Sequence, residues 1–234
     1  MDIRTLPDAE RRIYNRLRKH YSVTFDRLRI GEQKIRLLKI SDIEEYLAGR
    51  DPFAKGSKFP FWTHLWDGSM ILSYILGSQP NAQGKRLLEI GAGLGAPGLA
   101  AATAGFEVTI SNYEDIVTDF QRVSAAASKL KGINFIQMDW FNPPSPEPFD
   151  VLAGAEILFR EDLYQPLLNV MRALLKTDGA IYLAHDAKRQ GLSKFLKLAE
   201  ADFDIGLKEQ SINRTGKKVT VLINRLRLKQ NRLP

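Results

Sequence analysis

The segment "RLLEIGAGLGAPG", residues 86–98, sets an apolar run of strand character directly against four glycines and a proline. Glycine lets a backbone turn through left-handed conformations and approach a ligand closely, and a helix that starts just after the turn directs its N-terminal dipole at the same point. Pro97 suits the first turn of such a helix. The segment therefore reads as strand, ligand-binding turn and helix, the opening unit of an α/β sheet. Its glycines fall in two registers: G-x-G-x-G from Gly91, with Glu89 inside the strand, or G-x-G-x-x-G from Gly93 to Gly98.

The rest of the chain repeats the alternation. From Phe61 onward, "WTHLWDGSMILSYIL" reads as a helix, and "RLLEI", "EVTIS", "INFIQ", "FDVLAGAEI" and "AIYLAHD" read as short apolar strands, most of them separated by helical stretches. That pattern implies a parallel sheet covered on both faces. "DIGLKEQSI" and "KKVTVLINRLRL" flank the turn signal "NRTG" and predict a terminal antiparallel hairpin. Ahead of this, Ile13, Leu17 and Tyr21 recur at helical spacing, residues 22–40 alternate around Gly31-Glu32 as a β-hairpin does, and "SDIEEYL" reads as a short helix capped by Ser41. Residues 1–60 are expected to form an appendage joined through "PFAKGSKFP" to one α/β domain over residues 61–234.

Composition narrows the chemistry. A chain of 234 residues holds one such domain and the appendage but not two full domains. The lack of cysteine excludes disulfides, thiolate metal sites and cysteine nucleophiles, and fits a reducing, cytoplasmic setting; no metal is expected. No apolar run is long enough to span a bilayer, and the N-terminus has no apolar core of a signal peptide. The net charge of +7 suits nucleic acid, an acidic protein partner or simply a solvated basic surface.

Three features outside the glycine turn choose between its registers. About 85 residues precede it and one sheet consumes the rest of the chain, leaving no room for the catalytic domain a dehydrogenase adds to a dinucleotide site. An acidic residue just ahead of the first glycine, Glu89, is the pattern of an S-adenosylmethionine loop. The terminal hairpin matches the reversed seventh strand of class I methyltransferases. With these features the chain resembles the family 16 (seven-β-strand) protein lysine methyltransferases over about residues 60 to 228.

"FWTHLWDGSMILSYIL" looks like that family's tryptophan-containing helix ahead of the loop, and "LLEIGAGLGAPG" is similar throughout. "VTISNYED" stands where an acidic residue usually binds the ribose hydroxyls; this chain departs with Asn112, followed by Tyr113 and Glu114. "MDWF" resembles the third motif and "GAEILF" the acid-x-x-aromatic signature after the fourth strand. The resemblance implies a class I methyltransferase, Rossmann-like, seven-stranded sheet, mainly parallel with an antiparallel C-terminal hairpin strand and helices on both faces. It implies S-adenosylmethionine as cofactor, bound by Trp66, Glu89, Gly91, Gly93, Gly95, Asn112, Tyr113, Asp139 and Trp140. Glu156 and Phe159 become the catalytic pair.

Methyl transfer from a sulfonium is a direct displacement in which orientation matters most. A lysine attacks only as the neutral amine, so its reference pKa of about 10.4 must fall, and an apolar channel beside a cation lowers it by desolvation and like-charge repulsion. Phe159, Trp62 and Phe141 are candidates for that channel, and Glu156, past the central strand, for orienting the amine. Two other features are set aside: "NPPS", residues 142–145, reads as a proline-rich loop, and His185-Asp186 as a structural pair rather than a general base. The expected protein is a monomeric enzyme acting on a protein lysine. A methyltransferase of RNA or a small molecule, and a binding module that has lost catalysis, are left open.

Overall fold

In the computed structural model, which describes residues 2–47, 49, 60–144, 146–214 and 217–229, the chain opens with helix α1 (Asp8–Leu17) and a hairpin of β1 (Val23–Ile30) and β2 (Gln33–Ile40). The strands pair from Val23–Ile40 to Ile30–Gln33, so Gly31-Glu32 forms the turn, with Gly31 at φ +56°. Helix α2 (Ile43–Leu47) comes next. Its cap is Asp42 rather than Ser41: the Asp42 carboxylate reaches two amides, those of Glu44 (2.9 Å) and Glu45 (3.0 Å). The joint "PFAKGSKFP" lies, but for Pro60, outside the described residues.

The helix expected over residues 62–76 begins late. Phe61–Thr63 form a single 3-10 turn, closed by the Thr63 amide and hydroxyl on the Pro60 carbonyl at 3.0 and 2.8 Å. Trp66 is extended, with φ −72° and ψ 151°, and its indole donates to the Phe61 carbonyl at 2.8 Å. Only α3 (Asp67–Gly77) is α-helical, so Trp62 and Trp66 do not share a helix face.

Seven strands make the main sheet: β3 (Arg86–Glu89), β4 (Glu107–Asn112), β5 (Asn134–Gln137), β6 (Phe149–Ala155), β7 (Leu175–Asp186), β8 (Phe203–Arg214) and β9 (Lys217–Leu228). Their order is β5-β4-β3-β6-β7-β9-β8. β3 to β7 pair in parallel, and β9 runs antiparallel between β7 and β8. β6 stops at Ala155, ahead of the expected end, because Glu156 turns the chain at φ +56°; β7 starts earlier than expected, at Leu175, which pairs with Phe149. The strand order departs in both directions from β3 and β6, the place where open α/β sheets form a ligand crevice.

Helices α4 (Ala96–Ala104), α5 (Asp115–Ala127), α6 (Tyr164–Leu174) and α7 (Leu192–Ala199) complete the layers. Leu87 and Leu88 are sequence neighbours, both fully buried. Leu87 joins the cluster of Leu72 (α3) and Leu99 (α4), Leu88 that of Leu167 (α6) and Phe195 (α7), as alternation across a doubly covered strand requires. A third cluster sets Val117 and Phe120 of α5 against Leu17, Leu38 and Trp62. Ser124 of α5 and its C-cap Ser128 also satisfy the hairpin's backbone: Ser124 Oγ and Ser128 Oγ accept from the Leu38 and Arg36 amides, each at 2.8 Å. Among the described residues no helix is long and apolar enough to cross a membrane.

Candidate active site

A cleft of about 540 Å³ opens at the C-terminal ends of β3, β4 and β6. Its floor is the glycine turn. Gly91, Gly93 and Gly95 all lie in the left-handed region, at φ +61°, +53° and +75°. A Cβ on Gly91 would press on Ile157 (3.0 Å) and Trp140 (3.2 Å), and one on Gly93 on the Trp62 Cα (3.3 Å). Gly98 is needed for another reason: its Cβ would lie 2.6 Å from Glu89 Oε2 and 2.8 Å from Ile110, so glycine there seats α4 against the strands. The first register thus records the conformation of the turn and the second adds helix–strand packing.

The turn is held by three polar side chains. Glu89 is buried, and its carboxylate accepts from the Gly98 amide at 2.7 Å; burial pushes its carboxyl pKa up to about 8. It supports α4 from beneath and is not in the cleft wall. Asn112 Oδ1 accepts from the Gly93 amide at 2.9 Å, while Gln121 Nε2, from α5, donates to the Gly93 carbonyl at 2.6 Å. Gly93 is therefore clamped on both peptide groups. Asn112 lines the cleft, and its buried Nδ2 has no partner among the described residues.

Tyr113, Glu114, Asp139, Trp140 and Phe141 form the wall beyond Asn112. Asp139 Oδ1 accepts from the Phe141 amide at 3.0 Å, which shapes this corner, and Phe141 is largely exposed. Asn142 bridges to Asp139, and Pro143 and Pro144 continue without regular structure; Ser145 lies outside the described residues. On the opposite side Trp66 packs edge-on to His64 at 4.9 Å. Trp62 borders the cleft, but its ring is buried against Phe120 (5.1 Å) and Tyr46 (6.1 Å) rather than set in the channel. The aromatic that meets Phe159 is Phe61, stacked at 5.3 Å and 27°; both rings are partly exposed at the cleft mouth. With the local helix register read as continuous, nothing in the sequence singled Phe61 out.

Glu156 lies on the same side, in the left-handed turn after β6. Its Oε1 accepts from the Asp186 amide at 2.7 Å and its Oε2 from Arg189 Nη2 at 2.6 Å. Burial raises its pKa, and the Arg189 bond and charge oppose that shift. Gly68, in the first turn of α3, makes room for the carboxylate: a Cβ there would stand 2.8 Å from Glu156 Oε1. His185 is fully buried on β7, both ring nitrogens lack partners among the described residues, and burial pulls its pKa down to about 3. A neutral imidazole with no route to the cleft does not make a base pair with Asp186.

A glycine turn that no side chain would fit, the N-terminus of α4, an unpaired amide on Asn112 and flanking tryptophans suit an adenosyl ligand with an amino-acid tail. A family profile described as lysine methyltransferase matches residues 60–202. The mouse protein N-lysine methyltransferase METTL21A is 28% identical over 149 residues, 60% of this chain and 68% of that protein. Mouse EEF1A lysine methyltransferase 3 is 28% identical over 167 residues, 65% of this chain and 72% of that protein. Among solved structures, a methyltransferase in complex with SAH superposes with a TM-score of 0.60 at 14% identity, covering 86% of this chain and 56% of that one. The chain belongs to the lysine methyltransferase family of S-adenosylmethionine-dependent enzymes, with that family's profile spanning more than half its length.

Proposed function

We propose that this enzyme methylates a lysine side chain of a protein substrate, that Glu156 and Phe159 form the acceptor site with Phe61, and that residues 1–60 contribute to the choice of substrate. The observation that carries the reading is the pairing of a buried carboxylate with an aromatic stack at one mouth of the cleft. When bound, S-adenosylmethionine supplies a methyl group on an electrophilic sulfonium. Gly91, Gly93, Gly95, Asn112, Tyr113, Asp139, Trp140 and Trp66 are the residues that would hold it, with Glu89 bracing the turn.

The remaining work is on the acceptor. Phe61 and Phe159 exclude water from the entering side chain and disfavour its ammonium form. Glu156 orients the amine by accepting a hydrogen bond from it. A lone carboxylate would also hold the amine as an ammonium ion, and Arg189 counters this by supplying the opposite charge at 2.6 Å.

The test is transfer of label from S-adenosylmethionine to a cell extract, with samples treated afterwards by protease or by ribonuclease. Label lost to protease and recovered on lysine supports the reading. Label that survives protease and is lost to ribonuclease overturns it, and binding of S-adenosylmethionine with no transfer marks a binding module.

A further inference from the structure

The chain's positive charge is concentrated at one end. Residues 1–40 hold eleven Lys and Arg against five Asp and Glu, while residues 41–234 hold 23 against 22, so six of the seven excess charges precede the methyltransferase sheet. The hairpin gathers part of that excess on one face. Arg27 stands opposite Arg36, and Arg29 opposite Lys34, in the β1–β2 ladder. The same face is apolar nearer its base, where Phe25 stacks on Tyr14 of α1 at 6.1 Å, and turns cationic beyond.

Like charges directly across a ladder weaken it. Arg36 is tied back to the Ala127 carbonyl at 3.0 Å and Arg29 Nε to the Gly31 carbonyl at 3.1 Å, and none of the four joins an ion pair among the described residues. Arg27, Arg29 and Lys34 are exposed. Lys129 and Lys131, also exposed, come directly after the end of α5 to which Arg36 is fastened.

We infer that this cationic face of the hairpin docks an acidic surface of the protein substrate, an inference that rests on the lysine reading of the active site. α5 begins next to Glu114 in the cleft wall and ends beneath Arg36, a run of 13 residues or roughly 20 Å, so the acidic surface would lie about that far from the target lysine. Guanidinium groups suit carboxylates in bidentate pairs. Single-stranded nucleic acid is the weaker fit: it is usually held by stacking, and the exposed large apolar side chains among the described residues include none on β1 or β2.

The experiment compares the full chain with two charge reversals of equal size, Arg27→Glu/Arg29→Glu on the hairpin and Lys197→Glu/Lys208→Glu on α7 and β8. The hairpin reversal sets opposite charges across the ladder, so the fold is kept. Fluorescein-labelled decaglutamate should bind the hairpin variant at least tenfold more weakly than wild type and the other variant within twofold. Equal loss in both, or loss in neither, overturns the site. On the labelled target of the extract experiment, methylation of the whole protein should fall tenfold in the hairpin variant, while a peptide of about five residues centred on the same lysine, too short to reach the hairpin, is methylated as by wild type. A hairpin variant that loses only dodecauridylate binding, with decaglutamate binding and protein methylation unchanged, assigns the face to RNA and overturns the inference. If wild type transfers no label to protein, the lysine reading fails, and the decaglutamate comparison still decides whether the hairpin takes acidic chains.

Discussion

Arg189 Nη2 lies 2.6 Å from Glu156 Oε2, in a pair whose side chains are 25% and 5% exposed. The carboxylate proposed to meet the acceptor therefore already has a counter-charge; Asp186, whose amide binds the other oxygen, is the further charge acting on it. Arg189→Gln leaves Glu156 to attract the substrate ammonium ion. The acidic limb of the kcat profile should move to higher pH, with rescue by Arg189→Lys. A limb that stays in place while kcat is unchanged shows that the pair only fastens β6 to β7.

Substitutions of Glu156 separate chemistry from backbone. Glu156→Gln should lower kcat tenfold or more, about 1.4 kcal/mol of barrier, while affinity for S-adenosylhomocysteine stays within twofold. Glu156→Ala and Glu156→Gly both strand Arg189 and the Asp186 amide, but only glycine relaxes a φ of +56°. The glycine variant should be the more stable of the two by about 1 kcal/mol in denaturant melts.

The two glycine registers predict two different losses. Gly93→Ala forces a Cβ into a left-handed turn at 3.3 Å from Trp62, so calorimetry should find much weaker binding of S-adenosylhomocysteine. Gly98→Ala drives a Cβ against Glu89 and Ile110, and should cost about 1–3 kcal/mol of stability. Finding the effects exchanged would contradict the division of labour between turn and helix seat.

Asn112 is expected to tolerate the family's acid. Asn112→Asp keeps an acceptor for the Gly93 amide and offers the ribose hydroxyls a stronger one, so cofactor affinity should rise or hold. Asn112→Leu removes both and should weaken binding at least tenfold. A collapse of affinity in the aspartate variant means that the unpaired Nδ2 is the atom the cofactor needs.

Two buried groups bend the pH dependence of stability in opposite senses. Glu89, with its pKa up near 8 in the folded state, binds a proton that the unfolded chain has lost above about 4.5, so its contribution declines as pH rises from 4.5 to about 8. His185, held down near 3, stays neutral where the unfolded chain protonates, so stability declines as pH falls from about 6.5 to 3. Glu89→Gln should flatten the decline between pH 4.5 and about 8, by at most about 5 kcal/mol, and His185→Phe the one between about 6.5 and 3, read as Tm against pH. Parallel curves for wild type and variants would rule the two groups out.

Much of this was legible in the sequence because the signals are local. Alternating apolar runs marked each strand of the sheet, and the terminal pair read as a hairpin because a turn signal joins β-branched stretches. What failed was tertiary. The helix over residues 62–76 carried apolar residues throughout, yet its first turn unwinds because Pro60 and Thr63 close a 3-10 turn and Trp66 bonds back to Phe61. That moved Trp62 into the core and brought Phe61 to the cleft mouth. Arg189 and Gln121 left no trace in any motif, since each meets its partner across some 30 residues of chain.

Helix α5 touches both ends of the molecule's business: Gln121 grips the Gly93 carbonyl, and one and two turns later Ser124 and Ser128 grip the edge of β2. The hairpin is in consequence not an interchangeable cassette. Grafting a relative's N-terminal segment onto this sheet would disturb the helix that fixes the glycine turn, so an exchange aimed at the proposed substrate choice would also change affinity for the methyl donor.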